Sequence, residues 1–152
     1  MKTLLRPVRF EEVDAAGLLF FAVFAAYAHE AMAALFDGLA GGYPALIMKR
    51  RIGLPAVAMT CEFRSPLRYG DVAEIATTVA RLGNRSVQLE YEFRRHADGE
   101  VCATMSHTVV CSDLAMVVSC DMPTDVRAVL ESHLVPARRE AVSVPSTDPT
   151  KG

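Results

Sequence analysis

The 152-residue sequence has no tryptophan, no Cys-x-x-Cys pair, no lysine- or arginine-rich tail and no apolar run long enough to cross a bilayer. Each absence removes a class of function. The four cysteines, Cys61, Cys102, Cys111 and Cys120, are scattered and have no histidine cluster beside them. That excludes the spacing of a zinc site or a thioredoxin-like redox pair and leaves reduced thiols in a cytoplasmic setting as the simplest reading. A net charge of -2 speaks against a nucleic-acid partner, although Lys49, Arg50 and Arg51 can still meet a small anion. The opening MKTLLRPVRF breaks at Arg6-Pro7 and lacks the apolar core and cleavage site of a signal peptide. Residues 15–28 are uninterrupted apolar or glycine positions closed by His29-Glu30. They fall short of the ~20 residues that a membrane span needs, so no membrane is expected as a partner.

What is present is apolar material for a core. Hydrophobic residues make up 51% of the chain and charged ones only 22%, which implies a well-packed globule with some apolar surface available for self-association. The length suits one domain, and no internal repeat is found. A single domain over residues 1–135 is expected, followed by a flexible tail over 136–152, whose composition is polar and contains prolines.

Residues 3–12 alternate loosely around Pro7 and read as a first strand. After the turn Asp14-Ala15-Ala16-Gly17, an apolar helix is expected from Leu18 to about Phe36, ended by Asp37-Gly38 and Gly41-Gly42. Its apolar residues cover nearly every face, so it should be surrounded by protein. A loop carrying Tyr43-Pro44 and the basic cluster follows. Val57, Met59, Cys61 and Phe63, and again Val87, Leu89, Tyr91 and Phe93, then recur with period two. Residues 71–82 and 100–112 complete four strand-like runs joined by hairpins. Pro123-Thr124 opens a short helix with Thr124 as its expected N-cap. One long helix plus about five strands in mostly antiparallel order predicts an α+β domain whose curved sheet wraps the helix.

Asp14 admits two readings. It is a turn or N-cap residue, or it is a reactive carboxylate placed beside the free N–H groups and the positive dipole end of a helix, where an oxyanion is stabilised. His29 and Glu30 are adjacent on the helix and point about 100° apart, which favours a buried pair bonded to neighbouring strands or to a second subunit over a catalytic dyad. His107 runs in phase with Met105 and Val109 and reads as a fully bonded core histidine. Cys61 and Cys111 read as apolar filler, which makes a cysteine hydrolase a poor reading.

Four ordered segments, VRFEEVDAAGLLFF, GLPAVAMTCEFRSPLRYGD, GNRSVQLEYEF and DGEVCATMSHTVVCSD, resemble the hotdog-fold 4-hydroxybenzoyl-CoA thioesterase family across roughly residues 5–132. FFAVFAAYAHEAMAAL is similar to the branch acting on aromatic acyl-CoAs, including the 1,4-dihydroxy-2-naphthoyl-CoA thioesterases. Phe21 and Val23 depart from more polar residues common in the family, which makes the pocket drier. The resemblance implies an acyl-CoA thioesterase with no cofactor and no metal, in which Asp14 serves as nucleophile or general base. It also implies that Gly17 lets substrate approach the backbone, that the Phe21 amide polarises the thioester carbonyl, and that Arg85 meets the CoA phosphates. Phe20, Phe21, Phe24 and Tyr27 crowd two turns of that helix, which suits a planar acyl group. A homodimer or a dimer of dimers is expected, because a lone unit leaves an open sheet edge. The rivals are a thioesterase for short- or medium-chain acyl-CoA or acyl-carrier protein, a dehydratase of the same fold, and a catalytically silent acyl-CoA-binding protein.

Overall fold

The computed structural model describes residues 1–136; the expected tail lies outside these from residue 137 onward. Five strands form one antiparallel sheet in the order β1-β4-β5-β6-β3. They are β1 (Lys2–Pro7), β3 (Ala56–Phe63), β4 (Val72–Leu82), β5 (Ser86–Arg95) and β6 (Val101–Val110). A second, small sheet joins β2 (Ile52–Gly53), β7 (Ser112–Asp113) and β8 (Val118–Ser119). Three α-helices, α1 (Val23–Ala34), α2 (Gly42–Met48) and α3 (Thr124–Ser132), complete the described chain. This is the α+β hotdog arrangement that the sequence predicts.

Alternation decides the inner face. Ala73, Ile75, Thr77 and Val79 of β4 are buried, as are Val87, Leu89, Tyr91 and Phe93 of β5. The residues between them face outward. Register keeps the layers aligned: Ile75 lies opposite Phe93, and Tyr91 opposite Met105. Irregularities at Ala56/Ala58, Val79/Arg81 and Phe93/Arg94 increase the local twist.

Against this face α1 buries Phe24, Tyr27, Ala28, Ala31 and Met32. Their spacing is that of one helical stripe. Phe24 meets Phe93 edge-on, with ring centroids 5.3 Å apart. The helix is therefore not enclosed by its own chain as expected, since Ala22, Ala26 and His29 remain exposed. β3 is exposed along almost its whole length, with Val57, Met59 and Phe63 uncovered. A sheet edge and a helix flank are both left open, side by side with the covered core.

Several boundaries differ from expectation for local reasons. The strand ends at Pro7, and residues Phe10–Glu12 form a 3-10 turn. The helix begins at Val23 rather than Leu18, because Leu18 and Leu19 are held extended by bridges to Arg68 and Val13. The segment read as a loop contains α2, where Pro44 falls in the first turn and needs no intrahelical N–H partner. Its Tyr43 ring stacks on Phe36 and its hydroxyl accepts the Leu54 N–H at 3.3 Å. Pro123 occupies the N-cap of α3, so Thr124 is the first helical residue instead of the cap.

Phe93 is fully buried and packs edge-on against Phe24 of α1. Phe93→Ala is expected to cost about 3–5 kcal/mol, measured as a lowered denaturant midpoint in chemical unfolding.

Candidate active site

Between β1 and α1 the chain makes a small, tightly laced loop. The Asp14 N–H donates to the Leu18 carbonyl at 2.8 Å, the Gly17 N–H to the Asp14 carbonyl at 3.0 Å, and the Phe20 N–H to the Glu12 carbonyl at 3.0 Å. Gly17 supplies the left-handed turn at φ +76°. The Leu19 N–H reaches the Leu67 carbonyl at 2.7 Å and ties the loop to the segment that follows β3.

Asp14 is exposed at the head of this loop. Its Oδ1 accepts the N–H groups of Ala16 at 2.8 Å and Leu18 at 3.1 Å, an Asx-type turn. It is not the helix N-cap; Ala22 is, with no side-chain cap. Among the described residues Asp14 Oδ2 has no hydrogen-bond partner, so one carboxylate oxygen is oriented and the other is left open.

Seven residues further on, the Phe21 N–H has no acceptor among the described residues, nor has that of Ala22. Both lie at the helix entrance, where unpaired donors and the helix dipole favour negative charge. Beside them is an apolar cleft of about 310 Å³, lined by Leu18, Phe21, Phe24, Phe63, Ser65 and Leu67 among others. Phe24 and Phe63 meet edge-on at 5.2 Å, and Phe20 and Phe21 lie at 4.7 Å. A larger hollow of about 760 Å³, lined by Gln88, Thr108 and Leu134 among others, lies where the described chain ends and takes no residue from the loop.

Phe21 and Phe24 line the cleft with Leu18, Asp14 is joined to it through the Leu18 N–H, and Gly17 and Phe20 are chain neighbours of those residues and do not line it. The structure does not bring Arg85 there. Arg85 stands at the start of β5, bonded to Asp121 at 2.8 Å and Ser119 at 3.3 Å, whereas the cleft lies at the Phe93 end of the sheet. From residue 85 to residue 93 an extended strand runs roughly 27 Å. Arg50, from the secondary basic cluster, is engaged by Asp125 through two bonds of 2.6 and 2.9 Å.

Sequence reasoning missed the wall of the cleft formed by Phe63, Arg64, Ser65, Pro66 and Leu67, in which Arg64 is a cation of the chain's own. Phe63 carried a signal in its period-two register, but that register does not say that β3 is an edge strand. It also missed the polar anchor behind the loop. The Glu12 carboxylate accepts the Arg6 guanidinium at 2.6 Å, the Tyr27 hydroxyl at 2.5 Å and the Arg9 N–H at 2.9 Å. Burial by itself would raise the Glu12 pKa; the Tyr27 and Arg9 donors and the Arg6 charge outweigh it and hold the carboxyl below its ordinary value.

The expected buried pair is not found, since His29 and Glu30 are both exposed on the uncovered side of α1; Glu30 bonds Arg6 of β1 at 2.9 Å, while His29 turns toward the Tyr43 ring. His107 is buried, and among the described residues only its Nδ1 is bonded, to the Tyr91 hydroxyl at 3.3 Å, while Nε2 has no partner there. The expected full satisfaction is not met, and burial pushes its pKa down, with the nearby His29 adding to the effect. Among the described residues no group of three or more His, Cys, Asp or Glu side chains could hold a metal, and no helix is long and apolar enough to cross a membrane.

Comparison with known proteins follows the same lines. Residues 8–130 match the family described as the thioesterase-like superfamily. A 1,4-dihydroxy-2-naphthoyl-CoA hydrolase of Prochlorococcus marinus is 28% identical over 134 residues, covering 84% of this chain and 85% of that protein. The solved structure of a gentisyl-coenzyme A thioesterase superposes with a TM-score of 0.74 at 29% identity, covering 83% of this chain and 99% of that one. A 1,4-dihydroxy-2-naphthoyl-CoA thioesterase from Synechocystis shares the fold, with a TM-score of 0.75 at 22% identity over 84% of this chain and 93% of that one.

Burial, followed by the Cys120 thiol 3.7 Å away, pushes the Cys111 thiol well above its ordinary pKa. Cys111 is therefore expected to resist iodoacetamide at pH 8 in the native protein and to react after unfolding, as read by peptide mass spectrometry.

Proposed function

The chain belongs to the thioesterase-like superfamily, and on that footing we propose that it hydrolyses an aromatic acyl-CoA to the free acid and CoA, with Asp14 driving the reaction. The observation that carries the proposal is the conjunction at one corner of an open carboxylate oxygen on Asp14, an unpaired N–H at Phe21 and an apolar cleft walled by Phe21, Phe24 and Phe63.

The chemistry needs little else. A thioester carbonyl seated against the Phe21 N–H gains positive character at carbon, and that N–H then bonds the oxyanion as it forms. Asp14 acts in one of two ways. As a base it takes a proton from water attacking the carbonyl carbon. As a nucleophile it forms a mixed anhydride, which water cleaves. In both, the tetrahedral centre collapses by breaking the C–S bond, and CoA departs as a thiolate, which is a good leaving group needing no strong acid beside it. Gly17 presents no side chain at the turn between Asp14 and the cleft; even a Cβ there would meet open space, so its left-handed φ is the main demand on that position. Aromatic walls favour a planar acyl group, since ring contacts add about 0.5–1.5 kcal/mol beyond burial.

The reading includes a second copy of the chain. Among the described residues β3 pairs only with β6, which leaves its other edge free, and the Ala22, Ala26 and His29 flank of α1 is bare as well. A two-fold axis through that edge pairs β3 with itself in antiparallel sense. The Ala56 end of one copy then adjoins the Phe63 end of the other. Since Ala56 lies opposite Val109, and Val110 opposite Ser86, Arg85 travels with the Ala56 end. Dimerisation would thus carry Arg85 of one copy toward the cleft of the next, where it would meet CoA phosphates. The four free thiols support a cytoplasmic setting for such an assembly.

Thiol release from benzoyl-, naphthoyl-, acetyl- and palmitoyl-CoA tests the activity. The aromatic esters are expected to exceed the other two in kcat/KM by about tenfold or more, and Asp14→Asn to lose at least ~10²-fold in kcat with an unchanged melting temperature. Preference for palmitoyl-CoA would overturn the aromatic class, and binding without thiol release would make the protein a carrier instead of an enzyme. For the assembly, light scattering is expected to show a dimer or a dimer of dimers, and Met59→Glu, on the open edge, to give monomers with reduced activity. A fully active monomer would overturn the shared site.

A further inference from the structure

Behind the Asp14 loop lies a group of charges that stability alone does not explain. Glu12 and Arg6 have side chains only 14% and 12% exposed. The Glu12 carboxylate receives three donors from three parts of the chain: Arg6 of β1, the Arg9 N–H at the start of the 3-10 turn, and Tyr27 of α1. Arg6 also donates to Glu30 at 2.9 Å and to the Pro7 carbonyl at 2.7 Å, and its guanidinium lies 4.8 Å above the Tyr27 ring. Withdrawing two ions from water costs free energy that an apolar pair of similar volume would avoid, so a buried ion pair is weak evidence for a stabilising role. Its value lies in direction, because hydrogen bonds to a carboxylate fix its position as apolar contacts do not.

What Glu12 fixes is the loop. Its own carbonyl accepts the Phe20 N–H, the residue before the Phe21 amide, and its chain runs through Val13, bridged to Leu19, into Asp14. The two limbs of the loop, 12–14 and 18–20, are thus tied to each other by backbone bonds and to the helix by the Glu12 side chain. Glu12 does not line the cleft, and its carboxylate is occupied by its three donors.

We propose that Glu12, held by Tyr27 and Arg6, is a positioning residue that sets Asp14 against the helix entrance carrying the Phe21 amide. The role rests on the thioesterase reading above and deepens it. Removing the hold lets the carboxylate drift while the cleft keeps its shape, so turnover suffers and substrate binding does not.

Tyr27→Phe deletes one hydroxyl and keeps the ring beneath Arg6; Glu12→Gln keeps the size of the side chain and removes its charge. Each is to be assayed beside wild type and Asp14→Asn with the best aromatic CoA ester, with the affinity of a non-hydrolysable thioether analogue of that ester and the melting temperature measured in parallel. The expected result is a kcat lowered about 10- to 100-fold, since misplacement on the order of 1 Å costs that much, with KM and analogue affinity within about threefold of wild type. The double variant should lose no more than about threefold beyond the worse single variant, because both changes break one link. Should Glu12→Gln fail to fold, Tyr27→Phe carries the test. A wild type that turns over, with Tyr27→Phe keeping its kcat, overturns the positioning role alone. So does a variant whose KM and analogue affinity weaken in step with its kcat. A wild type that releases no thiol from any ester overturns the thioesterase reading and the positioning role with it.

Discussion

The seating of one helical stripe on one sheet face governs the rest of the molecule. Phe24, Tyr27, Ala28, Ala31 and Met32 lie on a single buried side of α1, which packs against β1 and β4, with Phe24 also edge-on to Phe93 of β5. Small alanines at 28 and 31 are buried in this stripe. Because every one of these residues is almost inaccessible to solvent, rotating or sliding the helix would open voids along its length, which close-packed interiors do not tolerate cheaply. The helix axis is fixed by apolar contact, and its N-terminal end is fixed with it.

From that constraint follow both the site and the openings around it. The helix entrance falls at the rim of the sheet, where the segment after β3 passes and Phe63 and Leu67 supply the second wall of a cleft. The same seating leaves the opposite flank of α1 and the free edge of β3 uncovered. A single chain therefore makes a covered core, an incomplete cleft and an apolar border in one stroke. The proposed second copy answers the last two, since the surface that closes the sheet edge also brings a basic residue toward the cleft.

Around the helix entrance, polar contacts take over where packing gives out. An exposed loop has no core to hold it, and here it is held by backbone bonds across its limbs, by the Asx turn of Asp14 and by the Glu12 carboxylate at its root. The division of labour is physical. Dispersion and burial set where the helix lies, and directional hydrogen bonds set which way the carboxylate of Asp14 faces.

Period-two alternation determined β5 and its buried face, because a strand that presents one face to a core records that fact in every second residue, and bounding turns marked β4 and β6; the same alternation in β3 marked a strand but not a buried face, since Val57, Met59 and Phe63 are exposed. The apolar run before His29 likewise determined that a core helix exists, and Asp14-x-x-Gly17 determined that a carboxylate and a tight turn precede it. Other features belong to tertiary structure alone. Leu18 and Leu19 look helical in sequence and are extended, because bridges to Arg68 and Val13 are contacts with distant or turned-back chain. The helix that reads as apolar on all faces is bare on one, at Ala22, Ala26 and His29, since the hydrophobicity of a residue does not say which neighbours the fold gives it. Glu12, Tyr27 and Arg6 are scattered over the first 27 positions with no motif to join them, and only the fold places three donors on one carboxylate. Arg85 is the converse case: sequence resemblance groups it with the site, but strand geometry sets it at the far end of its own sheet, because a residue's place along a strand is a length and a motif carries none.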